Sequence, residues 1–177
     1  MIYFLISVFI VNSSNLLFQS LVLVMGSLLG CRSAALAVAA GLSTGKSPFL
    51  RIDSFPKQHD EDSKEDYRNK LIIKKRNELF GTVGNSDHAM LAAAYTEWDN
   101  LPGGGGSKRD YLESLGLSRN GMNDIKQLVK QLNSSLASAG FNSTQHSDIN
   151  GKSWRIIRSF IVSALAPTQI ARYVCQN

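Results

Sequence analysis

Charge is missing from the front of this chain. No Asp, Glu, Lys, Arg or His precedes Arg32, although the 177 residues include 19 Lys and Arg, 14 Asp and Glu, and three His. Cysteine is scarce: Cys31 and Cys175 lie near opposite ends, which excludes a disulfide-dense scaffold and a Cys-rich zinc ribbon. His59, His88 and His146 are widely separated and form no H-x-x-x-H pair, so no local metal-ligand spacing exists. There is no G-x-S-x-G and no evident acid–His–nucleophile arrangement, which leaves serine hydrolase chemistry without support. With 44% hydrophobic and 19% charged residues, the chain is neither a disordered tail nor, averaged over its length, a membrane protein. Its length suits one domain.

The charge-free front admits two readings. Met1 to Ile10 is apolar, Asn12-Ser13-Ser14-Asn15 is a polar interruption, and Leu16 to Leu29 is again largely apolar. Neither run alone reaches the roughly 20 residues of a spanning helix, but together they do, and Asn and Ser cost much less in a bilayer than charges. On this reading residues 1–29 anchor a small helical partner-binding protein in a membrane. The other reading is a pair of helices buried in an all-helical core, which need no charge on any face. Sequons at Asn12, Asn133 and Asn142 superficially favour a secreted chain, but Asn133 falls inside a strong helical pattern.

What is present is mostly helical rhythm. Ser33 to Leu42 is alanine-rich and short of bulk, as suits a helix packed closely on its neighbours, and Pro48 ends it. Asp53 to Asp66, with Pro56 and Asp60-Glu61-Asp62, reads as a solvated loop. A helix starting near Ser63 carries Lys74-Lys75-Arg76, which reads as a wet face. Ser86 is a good N-cap for a helix that places Leu91, Ala94, Tyr95 and Trp98 on one side. Residues 102–107 form a flexible Gly-rich stretch before a short helix over Arg109 to Leu115. Met122, Ile125, Leu128, Val129, Leu132 and Leu136 mark an amphipathic helix of about five turns, with Gly140 as its stop. A last helix runs from about Ser153 to Leu165, with Trp154, Ile157 and Ile161 on one side, before Pro167. No alternating strand pattern of useful length occurs. The expected fold is all-α, a compact bundle of about six to seven helices.

Two further features bear on chemistry. Ala40-Gly41-Leu42-Ser43-Thr44-Gly45-Lys46-Ser47 has the spacing of a phosphate-binding loop if Ala is accepted at its first position. Pro48 follows directly, the preceding segment is alanine-rich rather than strand-like, and no downstream strand ends in a metal-holding Asp, so the expected structure is a helix end and a turn. The net charge of +5 is unevenly divided: residues 32–107 carry ten basic and ten acidic side chains, residues 108–177 nine and four. An anionic partner is steered to the C-terminal part.

Several phrases in order resemble one family. Met25-Gly26-Ser27-Leu28-Leu29-Gly30-Cys31, Ala34 to Ser43, and Lys46-Ser47-Pro48-Phe49 are similar to the helicase-associated region of DEAH/DExH-box RNA helicases. So are Asn85-Ser86-Asp87-His88 with Ala94-Tyr95 and Trp98, then Tyr111-Leu112 to Leu117-Ser118, Ile125-Lys126-Gln127-Leu128, Ala139-Gly140-Phe141, and Ser159 to Pro167. The resemblance covers roughly residues 21–174; Gly45 is an insertion against it, and residues 1–15 match nothing in the family. The motor domains, most of the winged helix and the OB-fold of the family have no counterpart here.

The resemblance implies a ratchet-like bundle lining a single-stranded RNA channel and packing against helicase motor domains in a longer protein, in the cytoplasm or nucleus. ATP and magnesium belong to those motor domains, where the family hydrolyses ATP; no cofactor, metal or catalytic residue is expected in this stretch. The domain boundaries it implies are 1–15 for the unmatched apolar N-terminus, 16–166 for the helical domain and 167–177 for the start of the next segment. The candidate RNA-facing residues are Lys46, Ser47, Lys108, Arg109, Arg119 and Asn120.

Overall fold

The computed structural model describes residues 14–52, 64–102 and 105–165. Among them are seven helices and no strand: α1 (Ser14–Leu28), α2 (Arg32–Thr44), α3 (Lys64–Thr82), α4 (Asp87–Asn100), α5 (Gly105–Leu115), α6 (Arg119–Ser138) and α7 (Trp154–Leu165). The fold is therefore all-α, as composition and periodicity imply. The expected N-terminal segment 1–15 lies outside these residues except for Ser14 and Asn15, and 167–177 lies wholly outside them, as does the acidic stretch within 53–63.

Helix α2 is the axis of the bundle, packed on by α1, α4 and α6. Every residue from Ala34 to Ala40 is buried, which an ordinary amphipathic helix would not allow. Small side chains permit this, because alanine favours the helix and lets neighbouring backbones approach from several sides. The α1–α2 contact needs the smallest residue of all: a Cβ placed on Gly26 would collide with the Cβ of Ala35. Helix α7 closes the bundle against α1 and α4, burying Ile157, Phe160, Ile161 and Ala164, while α3 packs on α4 and α5.

The membrane reading of residues 1–29 is corrected here. Among the described residues no helix is long and apolar enough to cross a membrane. Helix α1 has 15 residues, or about 22 Å at 1.5 Å per residue, against the roughly 30 Å of a bilayer core. Among its described side chains Val22 and Leu23 are buried in the common core, with Leu21 and Met25 packed against it.

The helix ends follow local chemistry. Ser86 caps α4 by accepting from the Ala89 amide at 3.3 Å, and Ser118 caps α6 by accepting from the Gly121 amide at 3.2 Å. Helix α6 ends in a Schellman turn, with Gly140 at φ +92, its N–H on the Ala137 carbonyl, and the Phe141 N–H on the Leu136 carbonyl. Of the flexible stretch expected over 102–107, residues 103–104 lie outside the described residues, and 105–107 belong to α5. That first turn is held by the Lys108 ammonium, which donates to the Asp99 carbonyl at the end of α4, 3.0 Å away.

The loop after α6 folds back over the start of α2. Asp148 accepts from the Ser33 amide at 2.7 Å and from its hydroxyl, Arg32 N–H donates to the Ser147 carbonyl, and the Asn150 amide group donates to the Leu29 carbonyl at 2.8 Å. Asp148 thus supplies from a distance the negative cap that Cys31 does not provide locally. Beneath it Arg32 is only 4% exposed, yet among the described residues its guanidinium meets no carboxylate. It donates to Asn133 Oδ1 at 3.0 and 2.9 Å and to the Phe141 carbonyl at 2.7 Å. Asn133, the middle sequon, therefore sits in α6 with its side chain engaged.

Candidate nucleic-acid interface

The six candidate residues fall into two groups. The first is built on a joint between the loop after α2 and the turn before α6. Ser118 N–H donates to the Pro48 carbonyl at 2.8 Å and Leu50 N–H to the Gly116 carbonyl at 2.9 Å, framing an isolated antiparallel bridge between Phe49 and Leu117. Gly121, in the first turn of α6, abuts Pro48. Exposed Lys46 and Ser47 on one segment are thereby fixed beside exposed Arg119 and Asn120 on the other.

Arg76 of α3 staples this joint. Its Nε donates to the Leu115 carbonyl at 2.7 Å and its Nη2 to the Gly116 and Leu50 carbonyls at 2.8 and 3.0 Å, and its guanidinium lies 5.3 Å from the centre of the Phe49 ring. Burial lowers its pKa from the ordinary value. The run Lys74-Lys75-Arg76 is thus not one wet face: Lys74 and Lys75 are exposed, and Arg76 turns inward to the carbonyls of the joint. Position in a charge run carries no signal for that role, since the carbonyls it satisfies are far away in sequence.

The electrostatics of the joint favour an anion. Arg119 is the first residue of α6, and that helix has no acidic residue in its first turn. A cation at the positive end of a helix runs against the macrodipole, at a cost of about 0.3–1 kcal/mol, and adds to the positive potential there. Lys46 stands on the neighbouring loop.

The second group is elsewhere. Lys108 and Lys126 both reach the end of α4, with their ammonium groups 5.2 and 5.5 Å from the Trp98 ring centre. Lys126 also donates to the Asp99 carboxylate at 2.7 Å. Arg109 is paired with Glu113 at 2.8 Å, and Glu113 also lies 3.4 Å from Arg68. The hydrogen bond from Arg109, with its charge, holds the Glu113 carboxyl below its usual value. Half of this group's charge is therefore already matched. Lys126 and Trp98 escaped the sequence reading as site residues because only tertiary structure brings Lys108 of α5 and Lys126 of α6 to the Trp98 ring.

The phosphate-loop spacing resolves into a helix end. Residues 40–44 are the last turn of α2, and Gly45 is the left-handed residue that stops it, φ +61. Residues 40–44 keep helical geometry, so this segment does not form the consecutive amide nest that a phosphate loop requires. Asp87 and His88 open α4 and line a cleft beside Lys46. Among the described residues no cluster of three His, Cys, Asp or Glu side chains is placed to hold a metal ion.

Residues 19–91 match the family model described as helicase-associated domain (HA2), ratchet-like. The chain contains a ratchet-like helicase-associated domain. The match runs from within α1 through α2 and α3 into α4, so this HA2 segment includes Lys46, Ser47, Phe49 and Arg76. Lys108, Arg109, Arg119 and Asn120 belong to the helices that complete the bundle beyond it. No curated protein matches the chain.

Proposed function

We propose that this ratchet-like domain serves a DEAH/DExH-box RNA helicase as the accessory wall of its single-stranded RNA path, in the cytoplasm or nucleus, with ATP hydrolysis left to motor domains against which it packs. The observation that carries the reading is the joint that fixes Lys46 and Ser47 beside Arg119 and Asn120. It supplies two cations and a helix N-terminus at one seam, suited to adjacent phosphates of a strand. The HA2 match and the basic excess of residues 108–177 support it. The group around Lys108 and Arg109 is secondary, because Glu113 and Asp99 already engage those cations.

The test is a titration of the chain with single-stranded RNA at several salt concentrations. Binding on the order of 10⁻⁴–10⁻⁶ M at physiological salt, steeply weakened by added salt, is expected for a wall making few phosphate contacts. Lys46→Glu and Arg119→Glu each weaken it and reduce the salt slope by about one, while Lys74→Glu on the exposed face of α3 changes little. Absence of binding at low salt, or equal loss from all three variants, refutes the reading.

A further inference from the structure

Beside the joint is a cleft of about 470 Å³, within the roughly 300–1,000 Å³ range of small-molecule pockets. Its walls are largely apolar, formed by Leu42, Pro48, Phe49 and Met90, and Lys46 stands among its lining residues. The phosphate contacts proposed above do not use this space. A basic side chain beside an apolar, aromatic-walled hollow is the pairing that single-stranded nucleic acid recognises, with phosphate on the cation and the base face on the ring. Asp87 also lines the cleft, and its carboxylate opposes a polyphosphate entering it.

We infer that this cleft receives one unstacked nucleobase of the bound strand against Phe49, while Lys46 takes the adjoining phosphate. The inference rests on the RNA reading and adds a place for a base to what was a backbone contact. Arg76 preorganises it: the same guanidinium that staples the joint lies against the Phe49 ring and limits its movement. Every base has a π-face, so the cleft holds a base without demanding a sequence.

The experiment compares a short single-stranded RNA with a fully abasic strand of equal length and charge, each titrated against the full chain and its variants. The intact strand is expected to bind about tenfold more tightly. Phe49→Leu weakens the intact strand more than the abasic one and so shrinks that advantage, whereas Lys46→Ala weakens both strands alike. In the unaltered protein, photo-cross-linking with a 5-iodouridine strand is expected to map to Phe49, His88 or Met90, which keeps the idea testable if Phe49→Leu folds poorly. Equal binding of intact and abasic strands, equal weakening of both by Phe49→Leu, or cross-links confined to residues outside the cleft overturns the base site while leaving the RNA reading intact. Failure of both strands to bind at low salt overturns both.

Discussion

Asn133→Leu tests the least conventional feature of the core, a buried arginine held by neutral acceptors. Two of the three hydrogen bonds of the Arg32 guanidinium end on Asn133 Oδ1. Hydrogen bonds to charged groups contribute about 1.5–3 kcal/mol each, and stripping a partner from a sealed buried charge costs about 3–5 kcal/mol. Asn133 itself is exposed on α6, so water replaces part of what the variant removes, and a loss of about 1.5–3 kcal/mol is expected. For a chain of this size that is a fall of about 3–12 °C in Tm. Arg32→Met removes the cation itself and leaves the Phe141 carbonyl to find water. The decisive measurement is urea unfolding of both single variants and the double variant. If an unpaired buried charge is the cause, Arg32→Met relieves Asn133→Leu, and the double variant is about 1–2 kcal/mol more stable than the sum of the single losses implies. Strict additivity refutes the reasoning and reduces Asn133 to a packing residue.

Three other outcomes follow from the geometry. Gly26→Val should cost more than about 2 kcal/mol, because the helices must separate where Gly26 meets Ala35, and a Tm unchanged from the parent contradicts that close approach. Burial, with the Asp148 charge adding to it, pushes the Cys31 thiol up to about 11 from an ordinary 9.0. The thiol's contribution to stability is therefore complete below pH 9.0 and lost as pH rises toward 11, so Tm should fall more steeply from about pH 9 to about pH 11 in the parent than in Cys31→Ala; parallel slopes defeat the assignment. Because residues 40–44 are helical, equilibrium dialysis should show no saturable ATP or GTP binding with magnesium, and binding abolished by Lys46→Ala would contradict this.

The sequence by itself determined the features whose cause is local. An alanine-rich run becomes the buried axis α2 because small side chains tolerate neighbours on all sides, and the spacing from Met122 to Leu136 becomes α6 because 3.6-residue periodicity makes one apolar face. Ser86 and Gly140 cap and stop their helices through bonds to residues three to five positions away, which sequence order already contains. The ordered phrases pointed to the helicase-associated family for the same reason.

Tertiary structure alone decided the rest. Nothing in the neighbours of Arg32 announces that it is buried, since Asn133 and Phe141 arrive from another helix and its following loop. Arg76 looked like its exposed lysine neighbours until the Leu50, Leu115 and Gly116 carbonyls, from segments distant in sequence, were brought to it. The apolar front read as anchor or core, and for its described part, α1, the choice depended on whether α2 and α7 offered a surface to bury Val22 and Leu23. The joining of Lys46-Ser47 to Arg119-Asn120 has the same origin: two backbone hydrogen bonds between distant segments place them side by side, and no periodicity or motif records bonds of that kind.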